Sequence, residues 1–102
     1  MRTEKKVLKK ALFRGVLLAE SDDTFNEDGT YFFPPETVHR EYLQPGNQTG
    51  LCLWCGVPEY FDVVAGGHVL RNGAWTFHNP SRLTARIKDF IAFGADVQVR
   101  EV

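Results

Sequence analysis

The part of the sequence that decides the fold reads YFDVVAGGHVLRNGAWTF from Tyr60 to Phe77. Its first residues alternate in part between apolar and polar, and Gly66-Gly67 supplies the positive φ of a tight hairpin turn. Asn72-Gly73 is a second turn signal before another apolar run. Trp75 and Phe77 lie two residues apart and therefore share one face, which we expect to be the core face. The stretch predicts a β-meander.

The chain before the meander carries further strand signals. Two apolar runs between Val7 and Glu20 flank Arg14-Gly15, which predicts an opening hairpin. The acidic stretch from Ser21 to Thr30 is expected to form a turn-rich excursion or a short edge strand. Tyr31-Phe32-Phe33 reads as a strand, and Pro34-Pro35 is expected to end it because proline lacks a donor for the strand ladder.

The stretch that leads into the meander has weaker signals. Pro35 to Val38 places a proline and an acid where a single helical turn accepts them. Arg40 to Leu43 is interpreted as a returning strand. Gln44 to Gly50 is interpreted as a loop.

The clearest local signal is that of a helix from about Pro80 to Phe93. Asn79 is a favoured N-cap, Pro80 occupies a position that needs no donor, and Gly94 falls where a left-handed residue ends a helix. Four apolar side chains follow helical spacing: Leu83, Ile87, Phe90 and Ile91.

A final strand is expected from Val97, because valines alternate there with polar residues. The sequence therefore predicts a mainly β (α+β) fold, a compact bent antiparallel sheet with one C-terminal α-helix and a final strand. Residues 1–102 are expected to form a single domain.

Composition excludes several classes of protein. The chain has 102 residues, of which 43% are hydrophobic and 25% charged, and its formal net charge is −1. These values are typical of one soluble globular domain. Basic residues are concentrated in the first ten positions and the rest is acidic, so nucleic acid is not an expected partner. No apolar run reaches the roughly 18 residues of a membrane span, and no signal peptide is evident, so we expect a cytoplasmic protein without membrane contact.

A short motif reads CLWCG from Cys52 to Gly56. Cysteines at i and i+3 followed by glycine have the form of half a zinc knuckle, but a tetrahedral site needs two further ligands. No second cysteine pair exists, and the three histidines match no zinc spacing. We expect no cofactor and no metal, with Cys52 and Cys55 as weak candidates, and reduced thiols. Thioredoxin-type chemistry is disfavoured because a strand signal, not a helix, follows the motif.

Stretches spread over nearly the whole chain carry a family resemblance: Ala19-Glu20-Ser21, Tyr31-Phe32-Phe33-Pro34, Arg40-Glu41-Tyr42-Leu43, Cys52-Leu53-Trp54-Cys55-Gly56, Tyr60-Phe61, Ala74-Trp75-Thr76-Phe77 and Ile91-Ala92-Phe93. Together they resemble the small bacterial family called domain of unknown function 427. The usual family motif is Cys-Pro-(Trp or Tyr)-Lys-Gly, so this chain departs from it at Leu53 and Cys55. Cys55 cannot take over any role that requires the positive charge of the family's lysine.

The resemblance implies a compact, strongly bent, mainly antiparallel β domain with one C-terminal helix, and it implies no known activity. The family is also catalogued as nucleotidyltransferase-like, a chemistry that typically needs two or three carboxylates around metal ions. Here Asp96 is followed two residues later by Gln98, and the adjacent Asp22 and Asp23 would point to opposite faces of a strand. The sequence gives the transferase interpretation little support.

Aromatic and polar residues in the second half of the chain form a candidate ligand pocket: Arg40, Glu41, Cys52, Trp54, Tyr60, Trp75 and His78. Aromatic walls with a few polar groups suit a small molecule, and a guanidinium such as that of Arg40 can hold an anion through two hydrogen bonds. Each residue also has an ordinary structural interpretation in a core, a cap or a surface pair.

Three interpretations of function stay open. The leading one is a non-catalytic binding module for a small or anionic ligand, because no complete catalytic set is visible. The second is an enzyme, either nucleotidyltransferase-like or with Cys52 as its nucleophile. The third is a structural or interaction protein, whose concrete form is a homodimer that buries Trp54.

Overall fold

The computed structural model describes residues 7–27, 29–49, 58–78 and 82–102. Within these ranges the chain forms strands joined by turns and short 3₁₀ helices. The strands are β1 (Lys9–Phe13), β2 (Val16–Ser21), β3 (Phe25–Glu27), β4 (Thr30–Phe33), β5 (Leu43–Thr49), β6 (Pro58–Ala65), β7 (His68–Phe77), β8 (Ile91–Phe93) and β9 (Gln98–Glu101). The 3₁₀ helices are Pro35–Thr37, Arg40–Tyr42 and Arg82–Ile87. The predicted mainly β class is confirmed.

The strands form two antiparallel sheets. One has three strands in the order β2-β1-β9, and the other has six in the order β3-β4-β8-β7-β6-β5. The early strands β3 and β4 join the late strand β8, which pairs with β7 on its other side. The six-stranded sheet is therefore assembled from distant parts of the chain.

The main core joins the two sheets. It consists of Val38 and Val97 together with buried side chains from both sheets: Ala11, Phe13, Leu18, Ala19, Phe33, Val63, Ala65, Ala74, Ile91 and Phe93. Because successive strand residues point to opposite faces, a second cluster covers the other face of the six-stranded sheet. It contains Phe32, Phe77, Ile87 and Ala92, with Phe25, Trp75 and Phe90 packed against it.

The first third of the chain folds as its local signals predict. β1 and β2 form the opening hairpin, and both turn residues, Arg14 and Gly15, have positive φ (52° and 79°). β3 is the short edge strand expected before Thr30, and β4 ends at the predicted prolines. These predictions are confirmed, as is the final strand β9. The turn at Gly66-Gly67 also forms, with φ of 59° and 79°.

The predicted C-terminal α-helix over residues 80–93 is wrong. Residues 79–81, which include the expected N-cap Asn79 and Pro80, lie outside the described residues. The chain then forms the 3₁₀ helix Arg82–Ile87 and continues into β8. Asp89 has a left-handed φ of 64°, and its N–H donates to the carbonyl oxygen of Phe77 at 2.9 Å. That residue ends the helical turn and begins the pairing of this segment with β7.

The apolar residues whose spacing indicates a helix are divided between the two core clusters. Ile87 and Phe90 pack in the second cluster, whereas Ile91 lies in the main core on the opposite face of the sheet. A helix buries one stripe, but β8 buries both its faces and pairs along both its edges. Gly94 lacks the expected left-handed φ. Its N–H instead donates to the carbonyl oxygen of Gly73 at 2.9 Å.

The predictions for residues 40–49 are also wrong, and Gly50, the last residue of the expected loop, lies outside the described residues. Arg40–Tyr42 is a 3₁₀ helix, and the expected loop from Gln44 is the edge strand β5. Pro45 is tolerated because an edge strand leaves one row of donors unused. At Gly46 an added Cβ would lie 2.5 Å from Asn72 Oδ1 and 3.1 Å from the Tyr60 carbonyl oxygen, so glycine permits the close approach of the neighbouring strands.

The expected turn at Asn72-Gly73 is a bulge within β7. Phe61 pairs with Ala74 and Val63 with Leu70, so two steps along β6 face four along β7. Asn72 has a left-handed φ of 53°. The carboxylate of Asp62 accepts its N–H at 2.9 Å and stabilises the irregular backbone. The predicted turn is wrong, because β7 continues through these residues, and the expected three-run meander is a hairpin of β6 and β7.

Candidate functional site

The sheet brings together two of the predicted pocket residues, Tyr60 and Trp75. They are partners across β6 and β7, and their ring centroids are 6.0 Å apart with the planes tilted by 51°. On its other side Trp75 pairs with Ala92 of β8. The edge of the indole approaches Gly94, the residue that directly follows β8.

The indole of Trp75 reaches a cleft at the end of the six-stranded sheet. A Cβ added to Gly94 would lie 3.5 Å from Trp75 Cζ3, so the absence of a side chain there leaves the ring edge accessible. The cleft has a volume of about 360 Å³. Its lining residues are Gly29, Thr30, Tyr31, Trp75, Phe93, Gly94, Ala95, Val97 and Val99. None of these described lining residues is charged.

His78, a third predicted residue, lies between two carboxylates. Its Nδ1 is 2.7 Å from Asp89 Oδ1, and its Nε2 is 2.9 Å from Glu59 Oε1. The three residues come from the beginning of β6, the end of β7 and the segment before β8. As an imidazolium, His78 donates from both ring nitrogens and links these three parts of the chain.

This arrangement raises the pKa of His78 above the ordinary value of 6.5. The hydrogen bond to Asp89 is the largest cause, the hydrogen bond to Glu59 the second, and partial burial opposes both. The side chain is still 54% exposed, so solvent screens the interaction. With both ring nitrogens engaged by carboxylates, His78 is organised as a structural link.

Arg40 and Glu41 do not join the other predicted residues. They are exposed on the 3₁₀ helix that precedes β5 and packs against β6. Leu43 pairs with Val63, whereas Pro58 pairs with Phe77. The register therefore places Arg40 at the opposite end of β6 from His78.

The remaining predicted residues, Cys52, Trp54 and the weak metal candidate Cys55, lie outside the described residues. The segment that contains them connects β5 to β6. In the four ranges that the structure describes, no group of three His, Cys, Asp or Glu side chains is arranged to hold a metal ion. In the same ranges no helix has the length and apolar content required to cross a membrane.

The sequence did not single out Tyr31 and Gly94 at the cleft, or Glu59 and Asp89 at His78. Glu59 and Asp89 are 19 and 11 residues from His78, and only strand pairing brings them together. For Gly94 the sequence signal is present, but it predicts a helix end and not a cleft. The steric reason for glycine there depends on Trp75, which belongs to another strand.

These features define an antiparallel β protein with an uncharged aromatic cleft at one end of its larger sheet. The chain belongs to the family described as Domain of unknown function (DUF427), whose model matches residues 3–102. No curated protein matches it.

Proposed function

We propose that this protein is a binding module for a small, flat, uncharged molecule held in the Trp75 cleft. The observation that carries the proposal is the position of the indole: a large aromatic side chain on a central strand is half-buried and forms part of the wall of an open cleft. Aromatic faces with few polar groups are typical of sites for planar ligands.

Tyr60 and Gly94 support the role of Trp75 in different ways. Tyr60 contacts the indole from the neighbouring strand and restricts its rotation. Gly94 leaves the edge of the ring uncovered. A fixed ring that a ligand reaches without rearrangement loses little entropy on binding.

The lining chemistry selects the class of ligand. The described lining residues offer aromatic and aliphatic surface, the hydroxyl groups of Thr30 and Tyr31, and backbone groups. Burying a charge beside such a surface without a partner is unfavourable. The ligand is therefore an uncharged ring with one or two hydrogen-bonding groups.

Titration of the ¹⁵N-labelled protein with indole, adenosine and cyclohexanol tests the proposal. Indole or adenosine is expected to shift the amide signals of the lining residues 29–31, 93–95, 97 and 99, and cyclohexanol, which is not flat, to shift them less. Gly94→Ala places a methyl group beside the indole and is expected to weaken binding about tenfold, which corresponds to about 1.4 kcal/mol. Trp75→Leu is expected to abolish binding.

His78→Gln is the matched control, because it changes an exposed polar residue at the end of the same strand and leaves the cleft lining intact. Its affinity for the rings is expected to equal that of the original chain. If neither flat probe shifts the cleft signals, or if Gly94→Ala and Trp75→Leu bind as tightly as the control, the proposal is wrong.

A further inference from the structure

A second and larger depression lies between the tips of two hairpins. It has a volume of about 480 Å³ and is lined by Phe13, Arg14, His68, Val69, Leu70 and Asp96. Arg14 belongs to the turn between β1 and β2, and His68 begins β7 directly after the turn at Gly66-Gly67. We call this depression the hairpin groove. None of its lining residues was in the predicted pocket.

The backbone of Arg14 is held in an unfavourable conformation. Its φ of 52°, followed by 79° at Gly15, matches the pattern of a type I′ turn. Asparagine, aspartate and glycine are the residues that favour the first of these positions, whereas a long side chain is disfavoured in the left-handed region. Arginine therefore weakens this turn, and residues that work against their local structure are concentrated at functional sites.

The charge of Arg14 is not neutralised by an ion pair with any described residue. By contrast, Lys9 pairs with Glu101, and Lys10 with Glu20. His68 likewise forms no ion pair within the described ranges. The groove thus presents one permanent cation and one imidazole that are open to an external acceptor.

Beside these polar groups the groove exposes apolar surface. Val69 is 55% exposed. Among the large hydrophobic residues of the described chain, Val102 is the other one that is exposed. Leu70 and Phe13 extend the apolar surface of the groove inward. A cation next to exposed apolar side chains suits a ligand with an acidic group and a short hydrocarbon part.

We propose that the hairpin groove binds a small molecule that carries a single carboxylate or phosphate group on a short apolar body. The guanidinium of Arg14 holds the acidic group through two hydrogen bonds, and an N–H of His68 assists. The carboxylate of Asp96 repels additional negative charge, so a ligand with one acidic group is preferred to a polyphosphate. This site is separate from the Trp75 cleft. Its ligand carries a negative charge, whereas the ligand proposed for the cleft is uncharged.

The test uses the full chain, labelled with ¹⁵N and titrated with hexanoate, hexyl phosphate and hexanol. At least one of the two acids is expected to shift the amide signals of Arg14 and of residues 68–70, and hexanol is expected to bind at least about tenfold more weakly. The two acids distinguish a carboxylate ligand from a phosphate ligand. Signals of the Trp75 cleft are expected to stay unchanged, which separates this outcome from that of the proposed function.

Arg14→Asn is the decisive variant. Asparagine suits the left-handed turn position, so the variant is expected to melt at a higher temperature and yet to bind the acid at least about tenfold more weakly. Arg14→Gly is expected to weaken acid binding in the same way. It controls for any new contact that the asparagine side chain makes. Arg100→Asn, which removes a cation from β9 outside the groove, is expected to leave binding unchanged.

Three results would overturn the proposal. The first is equal affinity for hexanol and both acids, the second is unchanged binding by Arg14→Asn, and the third is the absence of groove shifts with either acid. An additional measurement concerns Asp96: Asp96→Asn is expected to strengthen acid binding about threefold, and weaker binding would contradict the assigned repulsion.

Discussion

The opening hairpin and strand β8 bury apolar side chains in different ways. In the hairpin, β1 and β2 are neighbours in sequence, and several of their side chains remain partly exposed. In β8 all three residues are buried, and the strand pairs with β4 on one side and β7 on the other. The partners of β8 come from residues 32–33 and 74–76, far from residues 91–93 in the chain.

The difference shows where local conformational preferences determine the structure and where they do not. The hairpin strands and the turn residue Gly15 lie in one short stretch of sequence, so their local conformational preferences agree with the final structure. Arg14, whose side chain disfavours the left-handed region, is the exception in this turn. A central strand gains its stability from both faces and both edges, and this gain outweighs the helical preference of its own sequence. Substitutions at five positions test this difference.

The largest effect is expected at the centre of β8. Ile91 is fully buried, so Ile91→Ala should lower the free energy of unfolding by about 2–5 kcal/mol. The hairpin residue Leu12 is only half-buried, and Leu12→Ala should cost about 1 kcal/mol. Urea unfolding of both variants measures the difference. Equal losses would show that β8 is no more deeply integrated than the hairpin.

Asp89→Ala tests whether a higher helix propensity turns the segment before β8 into a helix. Alanine favours a helix but not the left-handed φ of 64°, and the substitution also removes the contact with His78. We expect a loss of about 2 kcal/mol without increased helical circular dichroism. Asp89→Gly, which accepts the positive φ, should cost less. A stable variant with a stronger helical signal would refute tertiary control of this segment.

Gly15→Ala is the corresponding test in the hairpin. An added Cβ meets no atom within 4 Å, so the cost comes only from the φ of 79° and should be about 1 kcal/mol. Thermal unfolding measures it, and Gly15→Asn should recover part of the loss. If alanine is tolerated without loss, the turn conformation does not control the hairpin.

The smallest effect concerns His78, which links β6 and β7 to the segment before β8. The carboxylates of Asp89 and Glu59 raise its pKa, so its contribution to stability is fully present below about pH 6.5. It is lost as the pH rises through the folded-state pKa. Because the imidazole is exposed, we expect less than about 1 kcal/mol, decreasing with added salt.

His78→Gln should abolish that pH dependence. The measurement is the difference in unfolding free energy between the original chain and the variant at pH 5.5 and pH 8.5. The difference should favour the original chain at the lower pH. A larger advantage at the higher pH would contradict the assigned charge state.

The candidate site shows the same boundary between local and tertiary information. Tyr60 and Trp75 belong to the first and third runs of the predicted meander, and they become cross-strand partners because β7 continues through Asn72-Gly73. The sequence predicts His78 without its carboxylate partners, because the contact with Asp89 depends on the pairing of a segment eleven residues away with the end of β7. The sequence also predicts Arg40 in this pocket, yet the register places it at the other end of β6. Which polar residues meet depends on strand order, and spacing along the chain does not encode it.

The sequence by itself determined the β class, the opening hairpin, the turn at Gly66-Gly67 and the family resemblance, because each depends on residues close together or on a whole-chain pattern. Only the tertiary structure decided that residues 91–93 form a strand, that Asn72-Gly73 is a bulge, and that Trp75 faces a cleft. In each of these cases, burial and pairing with a distant segment contribute a favourable free energy. It is larger than the free energy by which the local preference favours another structure.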